Sequence, residues 1–271
     1  MNLGAAGLAA VILSAVLGGC GTDDDGAKDP AARKSDRPLK LPQADEPFKL
    51  DPAGLRPEVT NPWFPLVPGT RWTYREVDED GEVLEVVVTA TSQTRTIANG
   101  AEARVVRDTV TLDGEIIEDT LDWYAQDGLG TVWYLGEDTA EFEDGYLVNH
   151  EGSFEAGVDD ALAGVIMPAT PTVGQSYRQE YYAGVAEDNG EVLALDGTAT
   201  VPAGSYEDLV KTADTNALEP DVLEHKFYAR DVGVVLTIDV GSKAREELVS
   251  VTTVSDAEAR RAGTAPLGSP Y

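Results

Sequence analysis

The chain has 271 residues, with 20 basic and 49 acidic side chains and a formal net charge of −29. This balance argues against nucleic-acid binding, which needs a basic surface, and against docking of the folded domain on anionic lipid. Hydrophobic residues make up 42% of the sequence, which is enough for a sizeable core. We interpret the acidity as a solvated surface, and cation binding stays open as a second interpretation.

The N-terminus has the features of a cleaved signal peptide. Residues 3–17 form an apolar run that is short for a permanent membrane span, and residues 17–20 read Leu-Gly-Gly-Cys. This sequence resembles the lipobox of bacterial lipoproteins, although no Lys or Arg precedes the apolar run. The resemblance implies a signal peptide over 1–19, a lipid on Cys20, and a membrane partner reached through that anchor. The alternatives are a secretory peptide cleaved elsewhere and an uncleaved anchor.

Cys20 is the only cysteine of the chain, so no intrachain disulfide can form. Lipidation of Cys20 predicts an exported protein anchored to the bacterial cell membrane or outer membrane. Residues 20–46 are polar and contain proline, and we expect them to form a flexible tether after the lipidated cysteine. Residues 255–271 form a C-terminal tail that begins with a short helical turn and continues as Gly- and Pro-rich coil.

Strand signals dominate the predicted domain over 47–254. Val- and Thr-rich segments alternate with short turns, and Asp113-Gly114 is a hairpin signal of this kind. No amphipathic segment longer than about twelve residues stands out. The sequence therefore predicts an all-β, mostly antiparallel fold.

Landmark residues recur at an offset of about 105 positions, which suggests two tandem β-meanders over 68–137 and 173–241. Residues 138–172 would connect them through acidic, Gly-rich loops. Chance similarity is the alternative to a duplication. The alignment pairs large aromatic residues at inward positions, Trp72 with Tyr177 and Tyr124 with Tyr228.

Three segments carry a resemblance to a known group of proteins: 64–72 (FPLVPGTRW), 200–206 (TVPAGSY) and 227–235 (FYARDVGVV). Together they resemble exported bacterial β-rich lipoproteins in which a PLxxGxxWxY opening is followed by VPAGx[FY] and YAxxVGxV hairpins. The resemblance covers most of 62–241. It implies a curved antiparallel sheet or half-barrel, and it implies no activity.

The sequence offers little support for nucleophilic catalysis. A serine or cysteine nucleophile needs a nearby base, but the chain has two histidines, no GxSxG motif, and a single cysteine assigned to lipid. Carboxylate pairs suited to glycosidase chemistry have no specificity among 49 acidic residues. An exported metal- or carboxylate-dependent hydrolase stays the alternative to a non-enzymatic protein.

Two neighbouring His–Glu pairs could meet around a divalent ion, but no HxxxH or HExxH spacing supports them, and solvated histidines are the simpler interpretation. The metal candidates are His150, Glu151, Glu224 and His225. Acidic segments over 137–144 and 187–188 would allow weak binding of a divalent cation, although a solvated loop explains them as well. No other cofactor is expected.

Aromatic residues give the other candidate site. Residues 123–124 (Trp-Tyr) and 133–134 (Trp-Tyr) face each other across one predicted hairpin, and adjacent residues of a strand point to opposite faces. One member of each pair therefore belongs to the core, and the other is available for a binding groove. The ligand-binding candidates are Trp72, Tyr74, Trp123 and Trp133. We expect a non-enzymatic envelope lipoprotein that binds a small ligand or an envelope component, or that is a structural or interaction module.

Overall fold

The structure is a computed structural model that describes residues 40–78 and 80–271. About 55% of it is strand and 4% is helix, and the antiparallel sheet closes almost completely into a barrel with one seam. The prediction of an all-β, antiparallel curved sheet is confirmed. The signal peptide, Cys20 and most of the tether lie outside the described residues. None of the helices in the described part is long and apolar enough to cross a membrane.

Fifteen strands and one α-helix make up the regular structure. The strands are β1 (Thr70–Val77), β2 (Val83–Thr96), β3 (Glu102–Leu112), β4 (Glu115–Gln126), β5 (Val132–Glu143), β6 (Tyr146–Asn149), β7 (Phe154–Glu155), β8 (Leu162–Met167), β9 (Ser176–Arg178), β10 (Glu180–Tyr181), β11 (Asp188–Val201), β12 (Gly204–Asn216), β13 (Glu224–Ala229), β14 (Gly233–Asp239) and β15 (Arg245–Thr253), followed by α1 (Asp256–Ala262).

Short hairpins set the order of the sheet, which is β10-β8-β5-β4-β3-β2-β1-β15-β14-β13-β12-β11-β9, with β6 and β7 paired to β5. The predicted turn at Asp113-Gly114 joins β3 to β4, and both residues have positive φ, 53° and 86°. That is the backbone of a two-residue hairpin turn whose twist matches the strands beside it.

The two predicted units follow the same path. Over 68–137 the chain runs in the sheet order β1-β2-β3-β4-β5, and over 173–241 it runs β9-β11-β12-β13-β14, with the two-residue β10 paired elsewhere. All four aromatic residues that the alignment matched are buried. The duplication itself stays a prediction.

The predicted connector over 138–172 is wrong in part, because much of it belongs to the sheet. Strand β5 continues to Glu143, and β8 pairs with β5 through Met167, Val165 and Gly164. The acidic residues after 137, which suggested a loop, therefore belong to a strand that lies between two others in the sheet.

The folded domain begins earlier than the predicted boundary at residue 47. Leu41 is buried in the core. The Arg178 guanidinium donates to the carbonyl oxygens of Ala44 and Glu46, and the Arg178 backbone N–H donates to the Pro42 carbonyl. The last residues of the predicted tether are therefore docked on the sheet.

The seam of the sheet is bridged by one short segment of chain. Strand β9 pairs with β11 at one edge, while β10, which follows after Gln179, pairs with β8 at the other edge. Gly164 on β8 permits this approach, since a Cβ there would collide with the Gln179 backbone. The two edges are consequently held side by side by the covalent chain.

The C-terminal tail covers the outer face of β3 and β4. Helix α1 begins with a capping box between Ser255 and Glu258. Beyond it, the chain buries an ion pair between Arg107 and Asp119, both 0% exposed. Arg107 also donates to the carbonyl oxygens of residues 262, 265 and 266, and its guanidinium lies 4.4 Å from the centre of the Tyr271 ring.

Candidate functional site

Two adjoining cavities of about 420 and 260 Å³ lie on the inner side of the curved sheet. They share lining residues on β3, β4, β8 and β13, so they form one interior space. Aromatic and aliphatic side chains line much of the smaller cavity. The larger one is lined by acids: Asp108, Glu118, Asp122, Glu137, Glu141, Glu151, Glu180, Asp188, Asp214, Glu219 and Glu224. Lys226 is the one basic side chain among the described residues that line the larger cavity.

The register of β4 and β5 places several of these acids opposite each other. Glu118 pairs with Glu141, Thr120 with Thr139, Asp122 with Glu137, and Tyr124 with Tyr134. All eight of these side chains line the larger cavity, so the inner face of this hairpin is a ladder of acid, threonine, acid and tyrosine pairs. Like charges directly opposite each other in a sheet are destabilising.

A phenol bridges one of the acid pairs. The Tyr134 hydroxyl lies 2.7 Å from Asp122 Oδ1 and 2.8 Å from Glu137 Oε2. A hydroxyl has one proton to donate, so it can donate to one carboxylate and accept from the other only if that second group is protonated. Burial raises the pKa of both carboxyls, and for Glu137 the charge of Asp122 raises it further.

In the other acid pair of the ladder, Glu118 is also costly to ionise. Burial, with repulsion from Glu141 and Asp122, raises the pKa of Glu118 from 4.5 to about 7. Asn149 donates a hydrogen bond of 2.7 Å to Glu141. Within the described part of the chain, no ion pair joins the four carboxyls of this ladder to a basic side chain.

An acid pair on β12 and β13 is bridged by an ammonium group. Asp214 lies opposite Glu224, and Lys226 Nζ is 3.3 Å from a carboxylate oxygen of each. Thr212 and Gln179 donate further hydrogen bonds to Asp214. The two carboxylates raise the pKa of Lys226 against the opposing effect of its burial.

A fourth acid pair lies at the far side of the interior, where Glu76 of β1 faces Glu246 of β15. Both line the smaller cavity. Burial is the main cause that raises the pKa of each, and that of Glu246 reaches about 7. The Thr237 hydroxyl donates to Glu246.

One buried acceptor of the interior has no hydrogen-bond partner among the described residues. Asp108 of β3 lines both cavities, and its Oδ1 atom is buried without a hydrogen bond. Burial, then repulsion from Asp122 and Glu246, raises the pKa of Asp108 well above its ordinary value. A buried polar atom left unpaired costs free energy. The Oδ1 atom of Asp108 is therefore available to accept a hydrogen bond from a ligand.

The four predicted aromatic candidates divide between the two faces of the sheet. Trp72 and Tyr74 line the smaller cavity, and they donate hydrogen bonds to the carbonyl oxygens of Val232 and Val234. Trp123 lies on the outer face under the Arg95 guanidinium, 4.0 Å from the ring centre. Trp133 lies on the outer face too, against Phe48.

The inner partners of those two tryptophans are Tyr124 and Tyr134. The two Trp-Tyr dipeptides face each other across the hairpin, as the sequence predicted, and the two tyrosine rings stack at 4.8 Å. Phe154 packs edge-on against Tyr134. The aromatic side chains that reach the cavity from this hairpin are therefore the tyrosines.

The structure does not bring the predicted metal candidates together. His150 is exposed, with Nδ1 2.6 Å from the Thr139 carbonyl oxygen. Glu151 and Glu224 both line the larger cavity, whereas His225 alternates with Glu224 and so points to the other face. Across residues 40–78 and 80–271, no three His, Cys, Asp or Glu side chains form a group that could hold a metal ion.

The acidic segments over 137–144 and 187–188 contribute to the interior as well as to the surface. Glu137, Glu141 and Asp188 line the larger cavity. The sequence interpretation as solvated loops missed these acids because strands seldom carry so many carboxylates. The usable signal was the two-residue spacing of Glu118, Thr120 and Asp122, on the strand that follows the predicted turn at Asp113-Gly114.

No protein-family model and no curated protein matches the chain. Among solved structures, a candidate exported protein with a YmcC-like fold from Bacteroides fragilis is 13% identical, with a TM-score of 0.43 over 72% of this chain and 100% of its own. A candidate lipoprotein from Parabacteroides distasonis is also 13% identical, with a TM-score of 0.40 over 70% of this chain and 98% of its own. Similarities at this level carry no conclusion on function.

Proposed function

We propose that the chain is an exported lipoprotein whose barrel interior binds a small organic cation, and that it is not an enzyme. The observation that carries this proposal is the set of like-charge carboxyl pairs that face one another inside the sheet. Their register is fixed by the backbone, so repulsion and burial are built into the fold. A bound cation would offset both costs.

An organic cation suits this interior better than a metal ion. The carboxyl groups are spread along the wall, and no three of them in the described residues form a metal site. Aromatic rings lie beside them, with Trp72, Tyr74 and Tyr124 lining the smaller cavity. Aromatic faces attract ammonium and alkylammonium groups, and the same walls accept an alkyl chain.

The exported location rests on the sequence around Cys20. A lipid on this residue would hold the domain at a membrane, and the 20 residues between Cys20 and Leu41 can span tens of ångströms, at roughly 3.3 Å per residue. The acidic domain would then sample ligand near the membrane without adhering to anionic lipid.

The alternative of a carboxylate-dependent hydrolase rests on Asp122 and Glu137. Both have a raised pKa, and one phenol contacts an oxygen of each at 2.7 and 2.8 Å, so they are close enough to act as an acid pair on one substrate. However, the Tyr134 hydroxyl occupies the space between the carboxyls where a reacting bond would have to lie. The arrangement therefore favours binding over hydrolysis.

The test is thermal unfolding of the full chain in detergent at pH 8, with butylamine, diaminobutane, NaCl, MgCl₂ or CaCl₂ at matched ionic strength. We expect the amines to raise the melting temperature saturably, as mass action requires, and the inorganic salts to raise it gradually through screening. Amines that act no differently from NaCl would contradict the proposal. Selective saturation by Ca²⁺ would replace it with a metal site.

A further inference from the structure

The interior already contains one bound ammonium group, that of Lys226. It lies between two carboxylates that face each other across neighbouring strands, at 3.3 Å from each. A cross-strand acid pair on this wall is therefore a workable ammonium site.

The β4–β5 ladder repeats this arrangement twice without a basic side chain of the described residues paired to it. Glu118 faces Glu141, and Asp122 faces Glu137, four residues further along β4. At about 3.3 Å per residue, the two pairs are about 13 Å apart. The polar pair of Thr120 and Thr139, joined by a hydrogen bond of 3.0 Å, separates them.

Asp108 adds a third acceptor midway between the two pairs. It lies directly opposite Thr120 in the register of β3 and β4, at the level of the threonine pair. Its buried Oδ1 has no hydrogen-bond partner among the described residues. This observation is independent of the acid pairs, and it points to a donor located between them.

We propose that the ligand is a linear polyamine bound along the β4–β5 ladder. One terminal ammonium lies between Glu118 and Glu141, the other donates to the oxygen atoms of Asp122 and Glu137 that the Tyr134 hydroxyl does not contact, and an inner amine donates to Asp108. This assignment rests on the proposed function, because it specifies the cation that the interior binds.

The aromatic end of the ladder supports the same orientation. The stacked rings of Tyr124 and Tyr134 close the row beyond the second acid pair. Ring faces beside an ammonium attract it, and the phenol of Tyr134 already contacts both carboxyls of that pair. A ligand with a charge at one end only would leave the first pair, Glu118 and Glu141, without a counterion.

The experiment is isothermal titration of the full chain in detergent at pH 8 with four amines: butylamine, diaminobutane, diaminooctane and spermidine. Diaminooctane and spermidine have equal numbers of bonds between their terminal nitrogens, so they differ in the inner amine. We expect spermidine to bind most tightly, diaminooctane next, and the two short amines weakly. One additional charge-assisted hydrogen bond corresponds to about tenfold in affinity.

Three variants locate the contacts. Asp108→Asn should abolish the advantage of spermidine over diaminooctane. Glu118→Gln should reduce the affinity of both long amines to that of diaminobutane while leaving butylamine unchanged. Glu85→Gln is the matched control. Glu85 is exposed on β2, so this substitution removes the same charge outside the cavity. Melting curves of each variant show that it is folded.

The outcomes separate the two proposals. If all four amines bind equally, or if Glu118→Gln and Asp108→Asn behave like Glu85→Gln, the polyamine assignment is overturned and the cation-binding function stands. If none of the amines binds, the proposed function fails with it.

Discussion

Replacing Glu118 with glutamine should stabilise the protein in a manner that depends on pH. In the fold the pKa of Glu118 is about 7, against an ordinary value of 4.5. Between these two values the folded state retains a proton that the unfolded state has lost, so the stability contributed by this group falls as the pH rises. Below pH 4.5 both states are protonated and the penalty is absent, whereas above pH 7 it is complete.

The magnitude follows from the separation of the two pKa values. Each pH unit between them corresponds to about 1.4 kcal/mol, so a fully ionised Glu118 costs up to about 3 kcal/mol. Its contact with the cavity, which water can enter, makes this an upper limit. The groups that repel it are Glu141, Asp122, Glu76 and Asp119. Glutamine keeps the shape of the protonated acid and cannot ionise.

The assay is urea unfolding of wild type and Glu118→Gln at pH 5 and pH 9. We expect the two proteins to differ by less than about 1 kcal/mol at pH 5, and the variant to be more stable by about 2–3 kcal/mol at pH 9. The exposed control Glu85→Gln should stay within about 0.5 kcal/mol of wild type at both pH values. A variant that is equally stable at pH 9, or stabilised as much at pH 5, would refute the explanation from burial and repulsion.

Three further predictions address other parts of the molecule. Cys20→Ser should move the protein from the detergent phase to the aqueous phase in Triton partitioning, and retention in detergent would place the anchor elsewhere. Arg107→Ala should lower the free energy of unfolding by about 3–5 kcal/mol, because Asp119 would remain buried without its partner; a loss below about 1 kcal/mol in urea unfolding would contradict this. Melting temperature should rise from low to moderate NaCl as the acidic surface is screened, and a fall over that range would show that surface repulsion is not limiting.

The sequence predicted the class of fold because its local signals are strong. The Asp113-Gly114 turn specified one hairpin, and the Trp-Tyr dipeptides at 123–124 and 133–134 specified which side chains alternate across the sheet. The first predicted unit ended at 137, inside strand β5, because the second half of that strand carries acids and threonine in place of the apolar alternation that identifies a half-buried strand. The hydrophobic pattern of the sequence alone gave no reason to extend the strand beyond that point.

The candidate site was not predictable in the same way. Glu118 and Glu141 are 23 positions apart in sequence, and their pairing depends on the register of two strands, which no local pattern reports. Lys226 illustrates the same point, since its partner Asp214 lies on the neighbouring strand. Of the four aromatic residues predicted as ligand-binding candidates, Trp72 and Tyr74 line the interior and Trp123 and Trp133 do not, because local alternation does not report which face of a strand is turned inward.

The interior carboxyls also change how this protein exchanges protons with its surroundings. The chain has two histidines, the side chains that ordinarily buffer a protein near neutrality. Glu118 and Glu246, each with a pKa of about 7, titrate in the same range. The protein is consequently less negative at neutral pH than its formal charge of −29, which counts every carboxyl as ionised. Glutamate therefore contributes to its buffering capacity near pH 7, and a cation entering the cavity would release protons into the medium.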